Sequence, residues 1–526
     1  MKKNFSFKDN YFNYFLLFYF FIGIFYSLKV GITHDEAHSN LVWELNKSKL
    51  SNIFLNTKEN VELLDSYFGF YGIGFYLIST PLELLFSQLI NYNEINSAGS
   101  KLLIKHPVVF IFFILSAIYF KKIILLFTKD RFFSNIGTIL FLTYPYLLGH
   151  SFFNVKDIPS MSIWLICTYF VIKIMNEYFY YEKIRAKNII LLATLTSYLI
   201  SIRISGVLIF IEYLVFLIFY TNLFKKNLFH FLIKNIRMIL IFSLVFIATS
   251  FLFNPNFWDN PLKFFKAISF MSQHIQTVCT ITLGDCMKAQ NLPSSYLFIW
   301  LFFKLPLIVL FGLLVFPFIE KKLFRNKENL IIVGSLSISV ITIMLLLILF
   351  NVNLYDELRQ VLFLIPLIFI ISLILIFNFK KKMGLAMIGL SIIFFLFQNI
   401  KLFPYNYIWL NNSNIFMRVS NNFELDYWGA STKNVANFFN SENLNSNECI
   451  ISNTNDRIIF FLNNSNQCFK PFKELHKKNE RPFYIALTER AINKGVPNKC
   501  ELIHSEHVKM NFSKEDLILA KIFKCS

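Results

Sequence analysis

Charged residues are scarce in this sequence: Asp, Glu, Lys and Arg together make up 16% of its 526 residues, against 55% hydrophobic residues. Mean hydropathy is +0.52. A soluble core cannot absorb so large an apolar share, so the composition excludes an ordinary soluble protein and indicates a membrane protein. No internal repeat of fixed period is visible, so the chain is not assembled from copies of one unit.

Acidic residues are particularly few, with 32 Asp and Glu against 51 Lys and Arg, which gives a formal net charge of +19. In a soluble protein this excess would suggest nucleic acid. Here the basic residues cluster in short loops between apolar runs, as the positive-inside rule expects of a membrane protein. The charge therefore indicates topology, and we expect no nucleic-acid partner.

Apolar runs that approach the ~20 residues needed to cross a bilayer recur along the chain. The first, at residues 11–28, allows either a cleaved signal peptide or an uncleaved anchor, and the lack of a small-x-small cleavage site favours the anchor. The later runs lie near residues 68–90, 103–120, 132–149, 158–176, 188–203, 206–221, 236–253, 295–317, 330–350, 358–378 and 383–400.

The run at residues 68–90 decides the topology. If it spans, all of the basic clusters between later runs fall outside; if it does not, they all fall inside, as the positive-inside rule requires. Pro81, Glu83 and three nearby glycines also make it a plausible interfacial or re-entrant helix. We therefore predict eleven spans, a cytoplasmic N-terminus and an extracytoplasmic C-terminus. The outer face then carries residues 29–102, 150–159, 254–294, 351–357 and 401–526.

Cysteine placement agrees with this topology. Six of the seven cysteines fall in segments assigned outside, and Cys167 lies in a span. An oxidising compartment would let Cys279 pair with Cys286 and the last four cysteines form two bridges, for which three pairings exist, although free thiols stay possible.

The chain divides into two predicted domains. Residues 1–411 form a transmembrane domain, whose first outer loop, 29–102, carries an acidic motif and the interfacial helix 68–90. Residues 412–526 lose the long apolar runs and alternate short strand-like and helix-like stretches, which predicts a small extracytoplasmic α/β domain. The predicted strands are Glu448–Ser452, Arg457–Leu462, Pro482–Leu487 and Leu517–Phe523, and the predicted helices are Ser431–Phe439 and Thr488–Lys494.

Asp35 and Glu36 follow the first span directly. A carboxylate pair at the membrane–water boundary is where an enzyme acting on a lipid-linked substrate needs its base. The structural alternative is a solvated acidic turn that opens a helix, with Thr33 as its cap. His34 and His38 flank the pair, and the four side chains could in principle hold a divalent metal.

Three cationic side chains also fall at predicted outer ends of spans. Arg203 ends an apolar run, where a charge costs ~2.5 to 3.5 kcal/mol at mid-bilayer unless it reaches a polar site. Arg359 sits similarly and could grip a phosphate bidentately. Lys156 and Asp157 lie in a short loop that returns to the membrane surface. The alternatives are snorkelling for the arginines and a helix-capping ion pair for Lys156 and Asp157.

The outward-facing motifs, taken in order, resemble the GT-C superfamily of membrane glycosyltransferases, and within it bacterial relatives of the protein O-mannosyltransferase and aminoarabinose transferase group (glycosyltransferase family 39-like). The sequence departs from the usual pattern at Val155, where proline is common, and at Gln360, where histidine is common. The resemblance covers most of the chain through Thr33-His34-Asp35-Glu36-Ala37, Gly149-His150-Ser151-Phe152-Phe153-Asn154-Val155-Lys156-Asp157-Ile158-Pro159, Arg203-Ile204-Ser205-Gly206, Asn254-Pro255 with Trp258 and Asn260-Pro261, Leu292-Pro293 with Tyr296, Tyr355-Asp356 with Arg359, and Asp426-Tyr427-Trp428-Gly429.

The resemblance implies a GT-C fold and transfer of a sugar from a polyprenyl-phosphate carrier to an acceptor hydroxyl on the outer face, with inversion at the anomeric carbon. No nucleotide site is then needed, and we find no convincing glycine-rich phosphate loop on the inner side. The implied partners are membrane lipid, the lipid-linked sugar and an acceptor protein, glycolipid or polysaccharide, with no certain cofactor. The implied roles are general base for Asp35, further active-site carboxylates for Glu36 and Asp157, and donor phosphate binding for Lys156, Arg203 and Arg359.

Two other classes of protein compete with this interpretation. A secondary transporter or lipid flippase would also have many spans, but such proteins typically carry inverted repeats and broken helices that meet at mid-membrane. Here the polar residues gather at the outer ends of the spans. A structural protein of the cell envelope is the third possibility, for which the acidic loop would be incidental.

Overall fold

The computed structural model of the chain describes residues 7–90, 94–442, 444, 448–463, 467–475, 483–510 and 515–525. It is a largely helical body followed by a small sheet domain. The helices are α1 (Phe7–Ser27), α2 (His34–Leu55), α3 (Gly74–Phe86), α4 (Ser97–Leu103), α5 (His106–Thr128), α6 (Arg131–Thr143), α7 (Pro145–Ser151), α8 (Asp157–Tyr181), α9 (Ala186–Ile202), α10 (Ile209–Leu223), α11 (Leu228–Lys234), α12 (Ile236–Phe253), α13 (Lys263–Gln273), α14 (Tyr296–Lys304), α15 (Leu307–Leu314), α16 (Phe316–Arg325), α17 (Lys327–Leu349), α18 (Leu364–Leu402), α19 (Val419–Asn422), α20 (Thr432–Ser441) and α21 (Asn455–Ile458). The strands are β1 (Cys279–Thr282), β2 (Asp285–Lys288), β3 (Cys449–Ser452), β4 (Phe469–Lys470), β5 (Phe483–Thr488), β6 (Cys500–Val508) and β7 (Leu517–Cys525).

The prediction of a polytopic α-helical membrane protein with a small C-terminal α/β domain is confirmed, but with fewer spans than the predicted eleven. Among the described residues, six helices are long and apolar enough to cross a bilayer, or up to eight if two bent pairs each count as one span. The bent pairs are α6 with α7, at 64°, and α14 with α15, at 114°.

The difference of three between the eleven predicted spans and these eight has identifiable causes. Helix α1 is rich in tyrosine and asparagine, and α9 has only 17 residues. Two predicted spans, 358–378 and 383–400, are continuous in α18, whose backbone leaves the helical region at Lys380. A Cβ atom on Gly384 would lie 2.2 Å from Ile376 Cγ2, whereas eight residues of straight helix separate their ends by about 12 Å. The chain therefore bends sharply at Lys380, and α18 consists of two helical halves.

The segment 68–90 does not have the length of a span. Its central helix α3 has 13 residues, Pro81 among them, which gives about 20 Å of helix against a hydrocarbon core of about 30 Å. Its start packs on the end of α9, where Gly74 lies against Ser201. The segment is thus too short to be a span, and its position at the membrane interface stays a prediction.

The C-terminal domain is a five-stranded mixed sheet in the order β4-β3-β5-β7-β6. Strands β3, β4 and β5 are parallel, while β7 pairs antiparallel with β5 and β6. The predicted strands near β3, β5 and β7 and the predicted helix near α20 are present. The predicted strand Arg457–Leu462 is wrong: α21 and a 3-10 turn, Ile459–Phe461, occupy it. The predicted helix Thr488–Lys494 is only a 3-10 turn, Glu489–Ala491, and strand β6 was missed.

Three disulfides are present, Cys279–Cys286 across the β1–β2 hairpin, Cys449–Cys468 and Cys500–Cys525. The first is the predicted pair, and the other two select one of the three pairings that the sequence left open. Cys167 is free and buried.

The segment between α1 and α5 packs on the C-terminal domain. Asn96 donates its backbone N–H to the Phe460 carbonyl at 2.9 Å, and its side chain donates to the Ile459 carbonyl at 3.0 Å. Ile95 and Leu103 share one apolar cluster with Phe439 and other residues of the sheet domain. Ile32, just before α2, belongs to the same cluster, so the start of α2 is held against the sheet domain as well.

The face of the membrane that carries each loop is a prediction that cysteine labelling tests. Helix α8 has 25 residues, so its last residues lie about 37 Å from Asp157. In a Cys167→Ser background, we expect Lys183→Cys, just beyond α8, to react with an impermeant maleimide only after the inner face is opened. Lys58→Cys, in the first outer loop, should react from outside. Labelling of Lys183→Cys in sealed cells would contradict the topology.

Candidate active site

One cavity brings most of the predicted site residues together. It has a volume of about 740 Å³, and we call it the outer cavity after the membrane face on which the predicted topology places it. Asp35, Lys156, Asp157, Arg203 and Arg359 line it. The other lining residues include His34, His38, Tyr67, Phe70, Tyr71, Ile202, Ile204, Val207, Leu208, Ile268, Ser272, His274, Ile275, Leu347, Phe350, Tyr355, Val361 and Phe363.

Asp35 lies in the first turn of α2. Its backbone is fixed from both sides, since the preceding N–H, that of His34, donates to the Trp428 carbonyl at 3.1 Å and Gly31 packs against Ala430. A Cβ atom on Gly31 would lie 2.5 Å from the Ala430 carbonyl oxygen, so only glycine permits this approach. The short segment before α2 thus packs directly against the start of the C-terminal domain. This contact directs Asp35 into the outer cavity.

Glu36 does not line the outer cavity. Its Oε1 accepts from the Thr33 N–H at 2.7 Å and from the Thr33 hydroxyl at 2.8 Å, and its Oε2 lies 2.9 Å from His106 Nε2. The other ring nitrogen of His106 lies 3.0 Å from the Ser27 carbonyl oxygen. Glu36 therefore ties the end of α1 and the start of α5 to the start of α2, and both of its oxygens are engaged away from the cavity.

Arg359 is the centre of the charged network. Its guanidinium pairs with Asp35, lies 3.0 Å from Asp356 Oδ2 and 3.8 Å from Asp157 Oδ2. It also lies 4.3 Å from the centroid of the Trp428 ring, a cation–π contact. One cation is thus held by three carboxylates and an aromatic face.

Asp157 lies behind Arg203 and supports it. Its side chain is 2% exposed, while that of Arg203 is 21% exposed, and the two form an ion pair. Asn154 donates its side-chain amide to Asp157 Oδ2 at 3.0 Å and accepts the Asp157 N–H at 2.9 Å. The carboxylate therefore orients Arg203 and Arg359 from the cavity wall, with little of its own side chain exposed.

Lys156 lies beside these groups in the cavity wall. Its ammonium is 4.5 Å from the centroid of the Tyr71 ring. Burial lowers the pKa of Lys156 to about 8; Asp35 opposes this shift, and Arg359 adds to it. A bound anion would therefore stabilise the charged form of this lysine.

The pKa of Asp35 reflects two opposed effects. Burial acts to raise it, but the positive charges of Arg359 and Lys156 outweigh burial and hold the pKa of this carboxyl well below its usual range. Asp35 is thus an ionised carboxylate, and 22% of its side chain is exposed, so it can reach a ligand in the outer cavity.

The loop before Arg359 has an unusual backbone. Asp356 and Glu357 have φ angles of 56° and 66°, a left-handed conformation that non-glycine residues seldom adopt, at a cost of about 1–3 kcal/mol each. The loop is held by its surroundings: the Asp356 N–H donates to Thr280 Oγ1 at 2.9 Å, and the Glu357 N–H donates to the Tyr296 hydroxyl at 3.0 Å. This fixed loop presents Arg359 to the cavity.

Lys304, which had no role in the sequence interpretation, anchors the same loop. Its ammonium lies 2.8 Å from Glu357 Oε2, and both side chains are fully buried. Burial of two charges is tolerated only when they are paired, so removing either would leave the other without compensation. The pair locks α14 to the loop.

No metal centre is evident. Across the described part of the chain, no group of three or more His, Cys, Asp and Glu side chains is placed to hold an ion. Of the four residues considered from the sequence, Glu36 faces away from His34, Asp35 and His38, which line the outer cavity.

Three contributors to the site were not predicted as site residues. Asp356 stands three residues before Arg359, and Trp428 lies in the quoted Asp426-Tyr427-Trp428-Gly429 motif, so the sequence contained a signal for both. Arg490, which pairs with Asp356, lies in the C-terminal domain far along the chain and carries no such signal.

No protein-family model matches the sequence, and no curated protein sequence matches it significantly. The structure is similar to crystal structures of ArnT from Cupriavidus metallidurans, one in the apo state, with a TM-score of 0.48, and one bound to undecaprenyl phosphate, with a TM-score of 0.46. In each comparison the identity is 10%, and 98% of this chain and 97% of that chain are covered.

Proposed function

We propose that this protein is an inverting membrane glycosyltransferase that moves a sugar from a polyprenyl-phosphate carrier to an acceptor hydroxyl on the outer face of the membrane. The observation that carries the proposal is one cavity in which an accessible carboxylate, Asp35, adjoins three cationic side chains, Lys156, Arg203 and Arg359. Transfer from a phosphate-linked sugar requires both: a base for the incoming hydroxyl and cations for the departing phosphate.

The three cations stabilise the phosphate that leaves. Breaking the bond between the anomeric carbon and the phosphate oxygen places a further negative charge on the phosphate. Guanidinium groups can accept that charge bidentately, and Arg203 and Arg359 are held in place by Asp157. Lys156 adds a third cation, whose ammonium lies over the Tyr71 ring. Preorganised cations of this kind need no rearrangement as the charge develops.

Asp35 takes the proton of the acceptor hydroxyl as the hydroxyl oxygen attacks the anomeric carbon. In the free protein its pairing with Arg359 makes it a weak base. A donor phosphate that binds Arg359 competes with Asp35 for this guanidinium and brings a negative charge close to the carboxylate. Both effects raise the proton affinity of Asp35, so base strength is coupled to donor binding.

The apolar part of the outer cavity suits the lipid portion of the donor. Ile204, Val207 and Leu208 lead into α10, and Leu347 and Phe350 lie at the end of α17. Both helices belong to the apolar spans. An isoprenoid chain can therefore lie along these residues in the membrane while its phosphate reaches the cations.

The pKa of Lys156 predicts how donor binding depends on pH. Its pKa of about 8 means that the ammonium is charged below pH 8 and neutral above it, so kcat/KM for the donor should fall as pH rises past about 8. Burial lowers the pKa of His38 to about 4 and raises that of Tyr71, so neither titrates in this range. Lys156→Arg stays charged and should remove the fall. A wild-type profile that stays flat to pH 10, or an unchanged fall in Lys156→Arg, would contradict this.

The reaction class is tested with purified protein in detergent. A radiolabelled glycosyl polyprenyl phosphate and a labelled nucleotide sugar are each offered together with a crude envelope extract. We expect label to move to an acceptor from the lipid-linked donor alone, and the labelled product then identifies the acceptor as a protein, a glycolipid or a polysaccharide. No movement of label from any lipid-linked donor, with protein shown to be folded, would contradict the proposal and favour a transporter or flippase, the other class that the sequence left open.

A further inference from the structure

Arg490 of the C-terminal domain reaches across to the loop that carries Arg359. It lies in the 3-10 turn Glu489–Ala491 that follows β5, and its guanidinium pairs with Asp356 Oδ1. The other oxygen of that carboxylate, Oδ2, lies 3.0 Å from Arg359 Nη1. Asp356 is thus shared between an arginine of the sheet domain and an arginine of the proposed phosphate site.

The result is a chain of alternating charges that runs from Arg490 through Asp356 and Arg359 to Asp35. Neither Arg490 nor Asp356 is among the residues that line the outer cavity, whereas Arg359 and Asp35 both are. The first two members of the chain therefore act on a ligand only through the other two.

Arg490 is itself fixed. Its Nε donates to the Cys279 carbonyl at 3.1 Å and lies 3.9 Å from Glu424 Oε1. The contact with Cys279 belongs to the β1–β2 hairpin, and the same hairpin supplies Thr280, which accepts the Asp356 N–H. The hairpin thus holds the backbone of Asp356 through Thr280, and it holds the side chain of Asp356 indirectly, through the contact of Cys279 with Arg490.

The position of Arg359 depends on whether Arg490 occupies one oxygen of Asp356. Without Arg490, both oxygens of Asp356 are available to Arg359, three residues further along. A bidentate pair between them draws the guanidinium away from the cavity and neutralises it more completely. With Arg490 in place, one Asp356 oxygen is occupied, and the remaining N–H groups of Arg359 stay directed at Asp35 and the cavity.

We infer that Arg490 is a positioning residue, through which the C-terminal domain holds Arg359 in the geometry that binds the donor phosphate. The inference rests on the proposed function, because it takes the ligand of Arg359 to be a phosphate. It also gives the C-terminal domain a part in donor binding, which the sequence had not assigned to it.

The variant Arg490→Gln tests the inference with little risk to folding, since 36% of the Arg490 side chain is exposed. The expected result is a rise of about tenfold in KM for the glycosyl polyprenyl phosphate, with kcat changed less than about twofold. Arg490→Lys keeps the charge but cannot contact Asp356 and Cys279 together, so it should fall between wild type and Arg490→Gln. Lys494→Gln, an exposed cation four residues along, is the matched control and should leave both constants unchanged. An unchanged KM in folded Arg490→Gln, or a fall in kcat alone, would overturn the inference.

Two measurements that need no turnover separate this inference from the proposed function. Binding of undecaprenyl phosphate by Arg490→Gln should be about tenfold weaker than by wild type, and equal affinity would overturn the inference. If the wild type binds no polyprenyl phosphate at all, the proposed function fails. Melting temperatures then test whether Arg490 and Asp356 are coupled in the chain of alternating charges. The shifts in melting temperature of Arg490→Gln and Asp356→Asn should not add up to the shift of the double variant. Additive shifts would show that the two residues are not coupled and would overturn the inference.

Discussion

Asp35→Asn is expected to lower the rate of sugar transfer by about 10³-fold, within the range that general-base catalysis contributes. The amide cannot accept the proton of the acceptor hydroxyl, while its size and its position in the first turn of α2 are preserved. Donor affinity should not fall, because Asp35 competes with the phosphate for Arg359. We therefore expect binding of undecaprenyl phosphate to Asp35→Asn to be equal to or tighter than binding to wild type.

Glu44→Gln is the matched control for this prediction. Glu44 lies on the same helix, α2, with 49% of its side chain exposed and a surface ion pair to Lys47, which contributes little. It should retain wild-type rates. Normal turnover by Asp35→Asn would remove the assignment of the base, and a large loss of donor binding in Asp35→Asn would mean that the carboxylate serves the ligand site and not the proton transfer.

Arg359→Gln is expected to weaken donor binding by at least about 10²-fold and also to destabilise the protein. Donor binding falls because the central cation of the phosphate site is lost. Stability falls because Asp35, Asp157 and Asp356 all lie around this guanidinium, and removing one partner of a buried charge pair costs about 3–5 kcal/mol. Undecaprenyl phosphate binding and a thermal melt in detergent measure the two effects.

A second substitution separates these two effects. Arg359→Gln combined with Asp356→Asn removes one of the stranded carboxylates, so it should recover part of the lost melting temperature without recovering donor binding. Arg418→Gln, an exposed arginine outside the cavity, should change neither quantity. Wild-type donor affinity in folded Arg359→Gln would show that this arginine is structural alone.

The sequence indicated which charged residues lie together at the cavity better than it indicated their contacts. Asp35, Lys156, Asp157, Arg203 and Arg359 were each marked by a charge at the outer end of an apolar run, and the structure places all five at one cavity. Position along the chain, however, does not fix the direction of a side chain.

Glu36 illustrates this limit. It was predicted beside Asp35 as a catalytic carboxylate, yet it faces His106. The spacing of Thr33 and Glu36 is that of a capping box, in which the glutamate returns to the N-cap residue. The local signal was therefore in the sequence and outweighs adjacency to Asp35.

Long-range contacts could not be predicted in this way. The pairing of Asp356 with Arg490 joins residues 134 positions apart, and the pairing of Lys304 with Glu357 joins a helix to a distant loop. Nothing in the local pattern of either residue names its partner. The same holds for the predicted strand at Arg457–Leu462, where Arg457 turns inward to pair with Glu489 and the segment packs as a helix.

The helix count shows a similar division between local and tertiary information. Hydropathy located the apolar runs, including the two that form the halves of α18. It did not show that α6 and α7 are bent by 64°, or α14 and α15 by 114°. Both breaks fall at a proline, Pro145 at the start of α7 and Pro306 before α15. Proline interrupts a helix, so the sequence marks where each break lies but not its angle.

The central claim is that one cavity divides its work, with Asp35 acting on the acceptor and the cations holding the donor phosphate. Donor binding and turnover, measured on the same preparations of Asp35→Asn and Arg359→Gln, test it most directly. The account predicts that Asp35→Asn binds the glycosyl polyprenyl phosphate but does not transfer the sugar, whereas Arg359→Gln fails to bind it. Loss of binding in Asp35→Asn together with normal binding in Arg359→Gln would contradict it.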